Sequence, residues 1–256
     1  MGEVANAEGP SIAELLELWA IDSLLFCSEF FPGTARQKSP DFHASCFNLL
    51  DGTDRYVSIE VFRGGAKTTL LRMFTAKRVA FALSRTILYV GKSEDHAVRS
   101  VRWLKHQIER NTKLCQTFGL EKGVPWTDSE IQIKNTVEGV DIYVSAFGIK
   151  GSTRGVNFDD YRPDLIIIDD VVDEENSATP EGRKKITELV LGSLKESLAP
   201  KSEAPFAKMV ILQTPQDFDD ISQLAAKDGQ FASARFGCWT KETENCLLYT
   251  SDAADE

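Results

Sequence analysis

Three short, almost wholly apolar runs, separated by amphipathic segments, constrain the fold of this chain more than any other feature. They are RTILYVG (85–91), DLIIIDD (164–170) and KMVILQT (208–214). Strands that are apolar through their length are typical of a parallel sheet covered on both faces. Helical patterns alternate with these runs, at about 68–83, 93–111 and 180–198. The sequence therefore predicts a doubly wound α/β sheet.

The residues before the first of these runs predict helices and one more strand. Residues 12–30 carry apolar positions at helical spacing behind Ser11, a residue type favoured at helix N-termini. We expect one helix there, a second near 41–50, and a strand at 56–62.

A hairpin is predicted between the second and third helical patterns. IQIKN (131–135) and VDIYVSAF (140–147) alternate apolar and polar residues, as half-buried strands do. We expect Trp126 to anchor the core beside them.

Composition limits the classes of protein that the chain can belong to. Of its 256 residues, 42% are apolar and 27% charged, which is ordinary for a soluble globular protein. No apolar stretch reaches the roughly 20 residues needed to span a bilayer, so no membrane helix is expected. The five cysteines include no CxxC pair and the three histidines have no metal-ligand spacing. We expect reduced, packing cysteines and no zinc site.

The net charge of −10 does not favour a protein whose whole surface coats nucleic acid. A local basic face could still contact phosphates, and the helix at 93–111 has one. It carries Arg99, Arg102, Lys105, His106 and Arg110. The alternative is that this strip is simply the solvated face of the helix.

A candidate phosphate-binding loop, VFRGGAKTT (61–69), follows the expected strand at 56–62. Val61 and Ala66 stand where the common GxxxxGK[ST] pattern has glycine. Alanine is acceptable at position 66 if its φ is negative, since only left-handed geometry would demand glycine. A basic turn before a helix explains this segment equally well when the segment is taken alone.

The other residues of the loop match the requirements of a phosphate site. Such a site needs a tight backbone, a cation for the β- and γ-phosphates, and a hydroxyl for Mg²⁺. These are supplied by Gly64 and Gly65, by Lys67, and by Thr68.

Paired acids end the DLIIIDD strand, at the edge where an open α/β sheet binds its ligands. Asp169 would hold Mg²⁺, directly or through water, and Asp170 would orient an attacking water. The alternative is a strand end with solvated acids, which the preceding loop makes less favoured. A third strand exit, ILQTPQD, places Gln213 and Thr214 where polar groups could sense the γ-phosphate.

Four segments together resemble a known family. FRGGAKTT, KGSTRG, RPDLIIIDDVVDEEN and LQTPQ, in this order and spacing, resemble the ATPase half of the large terminase subunit, the motor that packages double-stranded DNA into tailed-phage heads. The resemblance spans roughly residues 40–240. Its most specific features are Arg63 four places before Lys67, alanine before that lysine, and RPD ahead of the acidic strand.

The resemblance implies an α/β fold of the P-loop NTPase class, ASCE type. This fold has a mostly parallel sheet with helices on both faces, here preceded by an N-terminal helical segment. The implied domains are a helical segment at 1–50 and a P-loop ATPase domain at 51–245.

The resemblance also assigns roles by position. It implies nucleotide contacts by Arg63, Gly64, Gly65, Ala66, Lys67, Thr68, Thr69 and Thr214, and Mg²⁺ contacts by Thr68 and Asp169. Asp170 falls where the family usually has a catalytic glutamate. Because aspartate is one methylene shorter, Glu174 or Glu175 is the alternative. Arg154 is a candidate for the catalytic arginine that a neighbouring subunit inserts, or else a loop arginine facing solvent.

The implied activity is hydrolysis of ATP, with Mg²⁺, to translocate double-stranded DNA into a prohead. The implied partners are double-stranded DNA, the portal protein and prohead, the small terminase subunit, and further copies of the chain in a homo-oligomeric ring. The implied location is the host cytoplasm, without membrane attachment.

The last residues, CLLYTSDAADE (246–256), resemble the conceptual translation of a sequencing-library adapter. We expect them to be a non-native tail on a truncated gene fragment. Large terminases usually continue into a nuclease domain, which we expect to be absent, so nuclease activity is not expected.

Two other functions remain open. A helicase-like P-loop ATPase shares the strand and acid pattern, although the motifs of a second motor domain are not visible. A catalytically inactive P-loop scaffold protein is suggested by Ala66 and Asp170.

Overall fold

The fold is described from a computed structural model of the chain. The structure describes residues 9–35, 38–149, 162–173, 177, 179–217, 219–237 and 248–250. Within these residues, one sheet of nine strands is covered by helices on both faces.

The strands of this sheet are numbered in chain order. They are β1 (Tyr56–Val61), β2 (Thr86–Gly91), β3 (Leu120–Trp126), β4 (Glu130–Asn135), β5 (Val140–Gly148), β6 (Leu165–Asp169), β7 (Lys208–Gln213), β8 (Phe231–Phe236) and β9 (Leu248–Thr250). Their order across the sheet is β3-β4-β5-β2-β6-β7-β1-β8-β9. The strands from β5 to β8 in this order are parallel, and antiparallel pairs extend the sheet at both edges.

The helices precede, connect and cover these strands. They are α1 (Ile12–Ile21), α2 (Ser23–Phe30), α3 (Asp41–Asp51), α4 (Lys67–Ala80), α5 (Glu94–Arg110), α6 (Thr112–Phe118), α7 (Pro180–Thr187), a π-helix (Glu188–Leu194), α8 (Lys195–Ser197) and α9 (Ile221–Lys227). No described helix combines the length and the apolar character that a membrane crossing requires.

The position of β7 defines the type of sheet. β7 lies between β1, which leads into the glycine-rich loop, and β6, which ends at Asp169. A strand inserted between these two is the arrangement of ASCE-type P-loop folds, so the predicted fold class is confirmed. Because these strands are parallel, their carboxyl ends lie along one edge of the sheet. That edge is where the residues of the candidate site meet.

Alternate residues of the central strands supply two hydrophobic cores, one on each face. On β6, Leu165 and Ile167 pack with α1–α6, whereas Ile166 and Ile168 pack with α7, the π-helix and α9. All five residues of β6 are buried. This two-sided burial is the reason that the strand is apolar through its length.

The N-terminal helical region differs from the prediction at one residue. The helix expected at 12–30 is broken at Asp22, whose side chain accepts a hydrogen bond of 3.0 Å from the Leu25 N–H. Asp22 thus ends α1 and caps α2. Both helices pack into the core that covers α4, through an aromatic cluster that includes Phe26, Phe30 and Phe118. Ser11 caps α1, as the sequence predicted.

Several elements were absent from the prediction. They are α6, β3, α9, β8 and β9. β3 carries Trp126, which is only half-buried and donates its indole N–H to Glu109 at 2.9 Å. Trp126 packs against the core as expected, but it remains partly exposed because β3 is an edge strand of the sheet. β9 falls within the segment that we expect to be non-native, and it pairs with the edge strand β8.

An ion pair with a buried lysine joins the N-terminal helices to the rest of the fold. Lys77 of α4 is 3% exposed, and its ammonium lies 2.9 Å from Asp51 of α3 and 2.7 Å from the Ser23 hydroxyl of α2. Removing one partner of such a pair leaves the other charge without compensation. The position of α2 and α3 against α4 depends on this contact.

We predict that Lys77→Met lowers the free energy of unfolding by about 2 kcal/mol, because Asp51 and the Ser23 hydroxyl both lose the ammonium that they contact. Denaturant unfolding of the full chain measures this change. Lys105→Met is the matched control, since Lys105 pairs with Asp128, a residue that is 55% exposed. A surface pair of that kind contributes less than about 1 kcal/mol. Equal losses in both variants would contradict the structural role of the buried pair.

Candidate functional site

Two glycines give the loop between β1 and α4 its shape, for different reasons. Gly64 has a φ of 88°, a conformation that glycine adopts at no steric cost. A side chain at Gly65 would place its Cβ 2.3 Å from a methyl of Val61, so the loop could not fold back on its own strand. The loop therefore needs both glycines that the sequence analysis singled out.

Ala66 adopts the left-handed conformation, with φ 59° and ψ 24°. The condition under which alanine would be unstrained, a negative φ, is not met, and the alanine has a geometry that glycine would adopt at lower cost. Such a conformation costs a residue with a side chain roughly 1–2 kcal/mol. Its carbonyl accepts the first hydrogen bond of α4, from the Leu70 N–H at 3.0 Å. The loop thus keeps glycine-like geometry without glycine at this position.

Lys67 begins α4 and crosses back over the loop. Its side chain is 8% exposed, and its ammonium lies 3.4 Å from the Phe62 carbonyl and 3.9 Å from Asp170 Oδ2. The same ammonium donates a hydrogen bond to the Thr214 hydroxyl at the end of β7. One cation therefore contacts groups at the ends of β1, β6 and β7.

Asp169 is fully buried at the end of β6, and both of its carboxylate oxygens accept hydrogen bonds. Thr68 donates to Oδ1 at 3.1 Å, and the Tyr89 hydroxyl donates to Oδ2 at 2.8 Å. Burial raises the pKa of Asp169, whereas the bond from Tyr89, the charge of His96 and the bond from Thr68 lower it. The carboxylate is thus held in a fixed orientation by side chains of β2 and α4.

Asp170 is fixed by its backbone and by one oxygen. Its φ is 50°, its N–H donates to the Leu212 carbonyl at 3.0 Å, and its Oδ1 accepts from the Thr214 N–H at 2.9 Å. Its side chain is 37% exposed, so Oδ2 is the oxygen that faces Lys67 and the open edge. Asp170 is therefore a positioned acid, unlike a freely solvated residue at a strand end.

Gln213, the last residue of β7, is buried and does not reach the open edge. Its side chain accepts from the Val172 N–H at 3.3 Å and donates to the Val172 carbonyl at 3.2 Å. It therefore clamps the segment after β6 to the end of β7. Thr214, the next residue, is the one that contacts Lys67.

A cavity of about 390 Å³ opens beside these groups. It is lined by Arg63, Lys92, Asp170, Val172, Asp173, Thr214 and Gln216. Lys92 was not identified from the sequence, although it directly follows β2, whose last residue Gly91 is in register with Asp169. Two cations, Arg63 and Lys92, thus share this cavity with two acids, Asp170 and Asp173.

A second cavity of about 880 Å³ lies on the other side of the loop, against α2 and α3. Ala66 and Thr69 face this cavity, together with His43 of α3. Burial lowers the pKa of His43, and a hydrogen bond to the Gly65 backbone opposes that shift. The sequence analysis missed His43, because nothing in its spacing links α3 to the loop.

The structure brings together six of the predicted site residues at one edge of the sheet. They are Arg63, Lys67, Thr68, Asp169, Asp170 and Thr214. Thr69 lies toward the second cavity instead. Arg154, Glu174 and Glu175 lie outside the described residues.

Comparison with solved structures identifies proteins with a similar fold. No protein-family model and no curated protein matches the sequence. Among solved structures, a mutant ATPase domain of the large terminase from Thermus phage P74-26 superposes with a TM-score of 0.56 at 10% sequence identity, over 82% of this chain and 85% of that chain. The chain therefore has the fold of a large terminase ATPase domain.

Two further solved structures resemble the chain less closely. A large terminase from a thermophilic bacteriophage gives a TM-score of 0.47 at 11% identity, over 74% of this chain and 44% of that chain. Another ATPase domain structure from Thermus phage P74-26 gives 0.43 at 12% identity, over 64% of this chain and 61% of that chain.

We predict that Ala66→Gly raises the free energy of unfolding by about 1 kcal/mol, because glycine relieves the left-handed strain. Denaturant unfolding measures the change. Ala76→Gly, in the interior of α4, is the matched control and should lower stability by about 1 kcal/mol. If both variants lose stability, Ala66 is not strained in the folded chain.

Proposed function

We propose that the chain is the ATP-hydrolysing motor domain of a DNA-packaging terminase. The observation that best supports this is the convergence of two pairs at one edge of the sheet. The Thr68 hydroxyl lies 3.1 Å from Asp169, and the Lys67 ammonium lies 3.9 Å from Asp170. Helix α4 supplies one member of each pair, and the segment at the end of β6 supplies the other.

The Thr68 and Asp169 oxygens fit a magnesium ion. Both are hard oxygen donors of the kind that Mg²⁺ prefers. Adjacent ligands of an octahedral ion with bonds of 2.0–2.1 Å are about 2.9 Å apart. The two oxygens are separated by 3.1 Å. Bound there, Mg²⁺ would neutralise charge that develops on the phosphates of ATP.

Lys67 and Arg63 are proposed to neutralise the remaining phosphate charge. Lys67 is nearly buried, so its charge acts in a site with little competing water. A phosphate oxygen would compete with Thr214 and Asp170 for the Lys67 ammonium. Because Gln213 clamps the end of β7 to the segment after β6, a change at Thr214 would reach both strands. This is the proposed coupling of γ-phosphate loss to movement.

Asp170 is proposed to orient the attacking water. Its Oδ1 is held by the Thr214 N–H, which leaves Oδ2 for a water in the cavity of about 390 Å³. A fixed carboxylate can compensate for a side chain that is one methylene shorter than glutamate. Glu174 or Glu175 is the alternative base, and Arg154 is proposed to act on the site of a neighbouring copy.

The proposed biological role is translocation of double-stranded DNA into a prohead in the host cytoplasm. The proposed partners are the portal protein, the small terminase subunit and further copies of the chain in a ring. The fold supports this role over that of an inactive scaffold. Ala66 keeps the left-handed geometry of a glycine loop, so it is not a reason to expect a dead site.

We predict that Lys67→Ala weakens ATP binding at least tenfold and abolishes hydrolysis, because it removes the cation at the phosphates. Asp170→Asn should keep ATP affinity within about threefold and slow hydrolysis by two orders of magnitude or more. Fluorescent-nucleotide titration and phosphate release measure the two effects, with and without a portal and prohead complex.

Lys105→Ala is the control for the loss of one lysine charge at a distance from the site. It should leave both measurements unchanged. Equal hydrolysis by the wild type and Lys67→Ala would overturn the proposed enzyme. If Asp170→Asn keeps full activity and either Glu174→Gln or Glu175→Gln loses it, the glutamate whose variant is inactive is the base instead of Asp170.

A further inference from the structure

A basic groove of about 910 Å³ lies between α4, α5 and the loop that follows α2. Its charged lining residues are Arg72, Arg99, Arg102, Arg110 and His106, and no acidic residue in the described part of the chain lines it. This concentration of positive charge is unusual in a chain with a net charge of −10. We call this cavity and its lining the basic groove.

Most of the arginines in the basic groove are available to a ligand. In the described part of the chain, neither Arg99 nor Arg110 has an ion-pair partner. Arg102 pairs with Asp128 at 2.9 Å, but the two side chains are 48% and 55% exposed. An exposed pair of this kind is weak and easily exchanged. The groove therefore presents cations that are not already neutralised.

The spacing of these cations fits an extended polyanion better than a single phosphate. Arg99, Arg102, His106 and Arg110 follow one face of α5 at intervals of three and four residues. From Arg99 to Arg110 the helix rises about 16 Å over eleven steps, the length of about five nucleotide steps at 3.4 Å per strand. Arginine is also the side chain best suited to bind phosphates in a bidentate manner.

The basic groove has no exposed platform on which unpaired bases could stack. Its aromatic side chain on α5, Trp103, is half-buried and packs against Phe31 with ring centroids 5.3 Å apart. Proteins that bind single strands usually combine a basic groove with free aromatic faces. The groove is therefore better suited to the phosphate backbone of a duplex.

A chain of buried polar groups joins the basic groove to Asp169. The Arg72 Nε–H donates to the Ser100 hydroxyl at 3.0 Å, and Tyr89 donates to Asp169 at 2.8 Å. Between them, burial raises the pKa of the Tyr89 hydroxyl, and the neighbouring Ser100 hydroxyl opposes that shift. Ser100 is 3% exposed and Tyr89 is 2% exposed. Because Tyr89 donates its hydroxyl hydrogen to Asp169, only its oxygen is left for Ser100, and the two hydrogen bonds of the chain both point toward the carboxylate.

We propose that the basic groove binds the phosphate backbone of duplex DNA, and that Arg72 is a positioning residue that transmits its occupancy to Asp169. The proposed transmission rests on the proposed function, since Asp169 is the carboxylate proposed to bind Mg²⁺. A phosphate that attracts the Arg72 guanidinium weakens its bond to Ser100, and the chain then withdraws less charge from Asp169. Duplex binding thus lowers the Mg²⁺ concentration that nucleotide binding requires.

The binding half is tested by fluorescence anisotropy with a labelled duplex DNA and the full chain. The double variant R99A and R110A should weaken binding at least tenfold and reduce the slope of log K against log salt by about two, because each phosphate contact contributes about 0.9. The double variant K201A and K227A, which removes two exposed cations elsewhere, should leave both quantities unchanged. Equal effects of the two double variants would contradict the proposal that the basic groove binds DNA.

Competition identifies the occupant of the basic groove. Unlabelled duplex DNA should displace the probe at a lower phosphate concentration than single-stranded DNA of the same sequence or polyglutamate. If single-stranded DNA or polyglutamate competes as well as the duplex, the proposed occupant is wrong. This test requires no nucleotide hydrolysis, so it stands even if the proposed ATPase function fails.

The transmission half is tested by Mg²⁺ titration of fluorescent-nucleotide binding, with and without saturating duplex DNA. In the wild type, DNA should lower the half-saturating Mg²⁺ concentration at least threefold. Ser100→Ala keeps every groove cation but breaks the chain, so it should bind DNA normally and lose this shift. Arg72→Lys, which has no Nε–H, should behave in the same way. If Ser100→Ala has normal thermal stability and DNA still lowers its half-saturating Mg²⁺ concentration as in the wild type, the proposed transmission from Arg72 to Asp169 is wrong.

Discussion

The burial of the Asp169 carboxylate is the constraint on which the arrangement of the edge depends. Removing an ionised carboxylate from water costs several kcal/mol unless hydrogen bonds and charges compensate. Here the compensation comes from hydrogen bonds donated by Tyr89 on β2 and Thr68 on α4. These elements can supply it only because β2 and β7 flank β6 and α4 packs over them. The order of the strands is therefore required for the hydrogen bonds that stabilise the buried Asp169 carboxylate.

The sequence predicted those features of the fold that depend on the pattern of neighbouring residues. Two-sided burial makes a strand apolar through its length, so β2, β6 and β7 and the acids at the end of β6 were visible in advance. Features that depend on contacts between distant segments were not visible. The left-handed Ala66 and the close packing of Gly65 on Val61 leave no mark in the sequence, and the break at Asp22 is hidden by apolar residues that continue the helical period.

Lys92 and His43 were missed at the site for the same reason, because their positions depend on contacts between distant segments. Lys92 enters the cavity because Gly91 is in register with Asp169, and His43 reaches Gly65 because α3 packs beside the loop. Neither relation leaves a trace in spacing along the chain. Helix α4 is the element that connects these regions, since it carries Lys67 and Thr68 at the sheet edge and Arg72 one turn further, in the basic groove. A rigid helix of this kind is a suitable element to relate nucleotide state to a second ligand.

The most direct test of the account is the magnesium dependence of ATP binding in Asp169→Asn, measured by titration calorimetry with Mg²⁺ and with a chelator. The account predicts that Mg²⁺ tightens ATP binding at least tenfold in the wild type. It predicts that Asp169→Asn loses this gain while its affinity for metal-free ATP stays within about twofold. If Asp169→Asn retains the full gain, the magnesium site lies elsewhere and the account of this edge is wrong.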